Sequence, residues 1–279
     1  MEHMRVRIGC IVALLATGAF AQSAQPDTTL RGVLARAATE LEAYQAAMAF
    51  VLATESAEQE VRNAAGRRLA TRQTTGDFFL AYLPDDGRWF AVRDITAVDG
   101  EPVPQRDDVA ALLRQGASAR IGRVIADRNA RYNIGGVTRN FNDPMFALVI
   151  LSAKNQSRFR FSRDKITTTA DATLVTISFT ERDRPTLVQA ADGSPVFTRG
   201  ELVIDAGTGR LQQSIVSMRA GPTTAQLTTT FTRNEKLDLW LPATMSERYE
   251  HSTPARTEVV TVESAYTDYR KFETSVRIK

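Results

Sequence analysis

The residues best equipped for chemistry stand in one stretch, "ARYNIGGVTRNFNDPMFALVIL", at positions 130–151. Arg131, Tyr132, Asn133 and Arg139 place two guanidiniums beside an amide and a phenol. That set can grip a carboxylate or phosphate head group through charge-assisted hydrogen bonds. The same residues also suit a joint between helices, capping open carbonyls and pairing with Asp127 or Asp143. The joint is the favoured reading, and ligand capture by the four residues is the second. Gly135-Gly136 lacks the lysine and hydroxyl of a phosphate loop, so it reads as a turn. Met145 to Leu151 is apolar all round and is expected to be buried, as a core helix or as the lining of an apolar cavity.

Other catalytic sets are absent or weak. The only cysteine, Cys10, lies in the leader, which leaves no thiolate for a metal or a nucleophile. Of the two histidines, only His251 lies outside the leader. No G-x-S-x-G elbow accompanies it, and it reads as a surface residue in a polar turn. Glu55 with Glu58, and Asp85 with Asp86, are the acid pairs considered for hydrolysis. Asp85-Asp86-Gly87 is better read as a turn, and no calcium loop occurs. No catalytic residue, metal or cofactor is expected.

The ends set the compartment. Arg5 and Arg7, an apolar run from Ile8 to Ala16, and Ala19-Phe20-Ala21 have the order of a secretory signal peptide cut after Ala21. Cys10 precedes the apolar run, so a lipid anchor is not expected. Residues 1–21 are therefore read as leader and 22–279 as one exported domain, periplasmic or extracellular, with no transmembrane segment. Losing Arg5, Arg7 and Glu2 takes the formal charge from +3 to +2. That balance does not point to nucleic acid.

Positioning elements follow from periodicity. Leu30, Val33, Leu34, Ala37, Ala38, Leu41 and Tyr44 make a helical stripe behind Asp27 or Thr28. A strand is expected from about Met48 to Gln59. Asp86-Gly87 and Asp99-Gly100 are turns flanking strands. Three helices should follow. The first carries Val109, Leu112 and Leu113. The second, behind Ser118, has Ile121, Val124, Ile125 and Tyr132 on one face. The third is capped by Asn142 or Asp143, with Pro144 as its first residue. Beyond Gln156 the pattern is antiparallel sheet, clearest in "TLVTISFTE", and ends with Phe272, Val276 and Ile278 on one face. The expected fold is α+β: an N-terminal helix and a large curved antiparallel sheet, an incomplete barrel, with a helical insertion at about 105–153.

The chain resembles a family of uncharacterised exported bacterial proteins through "RDITAVDGEPVPQR", "RYNIGGVTRNFNDPMFALVIL", "GELVIDAGTGRL", "LWLPATMSERYE" and "AYTDYRKFE". The resemblance marks Arg93, Asp94, Asp99, Arg131, Tyr132, Asn133 and Pro144 as signature positions and carries no activity with it. The order of elements is also similar to the periplasmic lipoprotein-carrier fold. That resemblance implies binding of a lipid or other apolar molecule in the envelope, without catalysis. The alternatives are an adaptor for an envelope protein, with a filled core, and a carboxylate-dependent hydrolase of envelope polymers.

Overall fold

The computed structural model describes residues 25–47, 51–83, 88–103, 109, 119–137, 139, 142–190 and 192–271. Helix α1 (Leu30–Ala47) is followed by strands β1 (Val51–Asn63), β2 (Arg68–Leu83), β3 (Arg88–Val98) and β4 (Glu101–Pro102). Helices α2 (Ala119–Ala130), α3 (Phe146–Leu151) and α4 (Ala153–Gln156) come next. Strands β5 (Phe159–Thr168), β6 (Thr173–Glu181), β7 (Val188–Gln189), β8 (Pro195–Val196) and β9 (Thr198–Asp205) follow. The chain closes with β10 (Leu211–Ala220), β11 (Thr223–Asn234), β12 (Leu239–Ser252) and β13 (Thr257–Lys271). Eleven strands form one antiparallel sheet in the order β4-β3-β2-β1-β13-β12-β11-β10-β9-β6-β5, and β7 and β8 pair separately. The sheet stays open, with β4 and β5 at its edges.

Two-residue alternation gives this sheet one dry face and one wet face. On β6, Val175, Ile177 and Phe179 are buried while their neighbours are not. Leu202 and Ile204 on β9, Val216 on β10 and Leu227 on β11 extend the same inner face. Helix α1 lays Val33, Ala37 and Leu41 on it at intervals of four, and α3 buries Phe146, Ala147, Leu148, Ile150 and Leu151. Four side chains tie α1 down. Arg36 donates to the Ala206 carbonyl, Gln156 to Leu34 (3.0 Å) and Arg163 to Thr28 (2.8 Å), and Arg210 pairs with Glu40 (2.8 Å).

The insertion between β4 and β5 is a topological requirement. It leaves one edge of the sheet and returns at the other, across ten strand spacings, about 48 Å. Of its described part, α2 packs on β3 and α3 buries its apolar residues in the core on the inner face.

Several expectations shift. Helix α1 runs to Ala47, and β1 begins at Val51 and continues to Asn63. In α2, Ile125 is buried but Val124 is 59% exposed, because the helix packs mainly on β3 and presents its other sides to water. Helix α3 starts at Phe146 after Met145, which has no side-chain cap; Pro144 lies in the preceding turn, and Asp143 accepts from Met145 N (2.8 Å). The expected helix carrying Val109, Leu112 and Leu113 is described only at Val109. Ser118, the Asp86-Gly87 turn, Asp85, the leader and Phe272, Val276 and Ile278 lie outside the described residues. No described helix is long and apolar enough to cross a membrane.

Candidate functional site

The 131–139 loop begins where α2 unwinds through Tyr132 N to Asn129 O (3.0 Å) and Asn133 N to Ala130 O (3.1 Å). Its socket on the sheet is Gln59, a buried amide in the inward phase of β1. Gln59 Nε2 and an Arg72 NH group both donate to the Tyr132 carbonyl at 3.2 Å. Gln59 Oε1 accepts from Ile134 N (3.2 Å) and from Arg139 (2.5 Å). Gly136 N donates to Glu258 (2.5 Å). Gly135 has φ +86°, and a Cβ there would come within 2.8 Å of Val260 and Glu258, so the residue must be glycine for the loop to lie this close.

The four sequence-derived candidates do not converge on one point. Arg131 is exposed, with its guanidinium 4.8 Å over the Tyr132 ring. Asn133 is half-buried in the loop. Arg139 turns inward, is 6% exposed, and meets Gln59 rather than Asp143. Burial lowers the Arg139 pKa, opposed by Glu247 and Tyr249 and aided by Arg93.

Beside this joint lies a buried polar network whose outline no single stretch of sequence reveals. Arg93 on β3 pairs with Glu55 on β1 at 2.6 Å, the two side chains being 16% and 7% exposed. Its remaining donors reach Asn142 Oδ1 and the Tyr266 hydroxyl, each at 3.2 Å, and it lies 5.3 Å over the Phe78 ring. Asn129 of α2 donates to the Arg93 carbonyl. Burial opposes the Arg93 charge, but Glu55, Tyr266 and Glu247 outweigh it, so its pKa rises and the cation persists. Glu247 on β12 accepts from Tyr249 (2.5 Å). Desolvation pushes the Glu247 pKa up against the pull of Arg93, Tyr249 and Arg139. The Asp143 pKa is also raised, first by desolvation. A buried cation satisfied on every side fixes geometry; it is not free to meet a substrate.

Glu55 and Glu58, the acid pair considered for hydrolysis, stand in opposite phases of β1: Glu55 is buried on the inner face and Glu58 is exposed. Among the described residues no group of three or more His, Cys, Asp or Glu side chains is placed to hold a metal.

A separate feature of the inner face lies at its other end, under α1. An apolar cleft of about 30 Å³ runs between Leu41 and Tyr44 of α1, Leu148 and Leu151 of α3, and Phe231 and Trp240 of the sheet. It opens into a polar mouth of about 200 Å³ at Glu40, Arg210, Arg233 and Asp238. Near the cleft, the Tyr44 hydroxyl and Trp89 Nε1 are buried donors without a partner among the described residues, on rings 5.4 Å apart. Desolvation, reinforced by Tyr269, holds the Tyr44 phenol well above its usual pKa, so it stays a donor. Gly209 (φ +82°) lies so close beneath α1 that a Cβ would sit 2.6 Å from the Arg36 carbonyl. None of Arg131, Tyr132, Asn133 or Arg139 lines the cleft or its mouth.

Sequence reasoning missed this site because its parts are unremarkable singly. The usable signal was polar residues in apolar phase, such as Gln59, Glu55 and Glu247, and the aromatic density of Tyr44, Tyr82 and Trp89.

No family model and no curated protein matches the chain. Solved structures align with most of its length at low identity. An outer membrane lipoprotein-sorting protein domain from Vibrio parahaemolyticus aligns over 88% of this chain and 94% of its own, with 16% identity and a TM-score of 0.39. A DUF1329 family protein from Desulfovibrio piger covers 89% and 95%, with 7% identity and a TM-score of 0.40. MucB, solved in complex with periplasmic MucA, covers 88% and 100%, with 11% identity and a TM-score of 0.22. None of these alignments carries a function to this chain.

Proposed function

We propose that this is a non-catalytic binder of an apolar, acyl-bearing molecule, acting after export in the cell envelope. The observation that carries the reading is the apolar cleft under α1, with the Tyr44 hydroxyl on its wall and Trp89 Nε1 behind it, two buried donors without a partner among the described residues. Tyr44 and Trp89 suit a molecule that is apolar along its length and carries one acceptor oxygen, as an acyl ester does. A buried donor left unpaired costs about 1–3 kcal/mol, which such an acceptor would relieve. At the mouth Arg210 and Arg233 take the head-group role first expected of Arg131 and Arg139.

The cleft as it stands has room for about one water. Binding therefore requires α1 to lift, and this arrangement is the closed one. That small volume is also the observation favouring a second reading, an adaptor whose filled core only supports a docking surface. Native mass spectrometry of the protein purified from its own envelope, followed by organic extraction, separates the two. An acyl lipid that is retained, and that is lost in Leu41→Arg, supports the binder. A wild-type protein free of lipid sinks it and leaves the adaptor.

A further inference from the structure

The wet face of the sheet carries its own pattern, independent of the cleft. Cross-strand register places residues in rows running from β6 to β2. One row reads Thr180, Arg199, Ser217, Gln226, Arg248 and Thr261, and continues through Glu60 to Thr71. The row beyond it, at the hairpin tips, holds Arg219, Thr224, Glu250 and Val259, then Arg62 opposite Arg68. Together these two rows hold five arginines against Glu60 and Glu250. The next row inward is the reverse: Glu201, Glu263 and Glu58 are its charged residues, all acidic.

The basic rows are also grooved. A depression of about 700 Å³ is lined by Arg199, Arg219 and Arg248, with Ser217, Thr224 and Gln226 between them. Phe197 walls one side, with Arg184 stacked 5.5 Å over its ring, which brings a fourth guanidinium to the rim. Glu250 is the acid lining the groove; it pairs with Arg248 at 3.3 Å, an exposed contact that neutralises little.

Arg199 and Arg248 share a row but stand three strand spacings apart, about 14 Å. One carboxylate or phosphate cannot bridge that distance. An extended chain with repeated anionic groups can, and the hydroxyls and amide between the arginines match the hydroxyls of such a chain. We propose that this groove binds an acidic polysaccharide, lying across the strands with its carboxylates on Arg199, Arg219 and Arg248. The acidic row behind it sets the register by repelling the chain from the middle of the sheet.

The test is isothermal titration of the mature protein with polygalacturonate fragments, with dextran of matched length as the neutral probe. Polygalacturonate should bind and dextran should not, and binding should weaken as salt rises through about 0.1 M, where screening reaches about 10 Å. Arg199→Ala with Arg248→Ala should weaken binding about tenfold or more, as expected when two charge-assisted contacts are lost. Glu250→Arg, at an exposed position, should tighten it and keeps the test open should the double variant fail to fold by far-UV circular dichroism. Equal binding of dextran, no effect of either substitution, or binding only to phosphatidylglycerol vesicles overturns the proposal; the last would make the face a membrane contact.

Discussion

Glu55→Gln is the substitution that most directly tests the buried network. It keeps the volume and one acceptor, and it removes the charge that faces Arg93 at 2.6 Å. Breaking a buried ion pair by neutralising one partner typically costs about 3–5 kcal/mol, because the other charge is left uncompensated. Here Arg93 retains Asn142, Tyr266 and the Phe78 ring, so the lower end applies, about 3 kcal/mol. In a chain of this size each kcal/mol moves Tm by about 2–4 °C, so a fall of about 6–12 °C is expected. Thermal and urea unfolding followed by circular dichroism measures it. Hydrogen exchange should show residues 142–145 loosening first, since Asn142 hangs on the same guanidinium. The double replacement Glu55→Met with Arg93→Met removes both charges and should recover most of the loss. A Glu55→Gln protein within about 0.5 kcal/mol of wild type, the range of an ordinary surface change, refutes the assignment.

Two further outcomes follow from the same geometry. Desolvation raises the Glu247 pKa, so the folded state holds a proton that the unfolded state releases, and stability falls as pH rises from the unfolded to the folded pKa. Glu247→Gln should therefore flatten the pH dependence of Tm in that window and leave the variant the more stable protein above it; a Tm that falls at every pH contradicts this. Gly209→Ala places a Cβ against the Arg36 carbonyl at positive φ, costing about 1–3 kcal/mol. Exchange should quicken in α1 while β6 and β9 stay protected, and unchanged α1 protection would show that the helix is not seated on that turn.

Much of the fold was legible because its signals are local. The alternation of Val175, Ile177 and Phe179 needs no partner strand to be read, and neither does the burial of Met145 to Leu151. The boundary at Val51 was less legible, since "AMAFVLATES" suits helix and strand alike and the choice is made by pairing with Phe78 and Leu80 on β2. Val124 was misplaced because an apolar residue on a helix does not say how wide a face its partner offers. The site was least legible. Gln59 and Tyr132 are 73 residues apart, and Arg93 and Tyr266 are 173 apart. Their meeting depends on register, which is set by the whole sheet.

That register also decides which part of the molecule can open. The described loop of the crossing segment between β4 and β5 carries polar backbone over an apolar face and meets polar sockets there: Gln59 for Tyr132 and Ile134, Glu258 for Gly136, the Arg93 network for Asn142. Lifting it would strand Gln59 in the interior and take Asn142 from Arg93, a loss of more than an ordinary hydrogen bond. Helix α1 is held differently. It satisfies its own backbone, buries three residues fully, and is tied by side chains that water can replace, Arg36, Arg163 and the half-exposed Arg210–Glu40 pair among them. It also precedes the first strand, so its departure breaks no strand pairing. If the inner face ever admits a ligand, the movement must belong to α1 and the cleft beneath it, and a protein in which α1 exchanges no faster than the sheet has no way in.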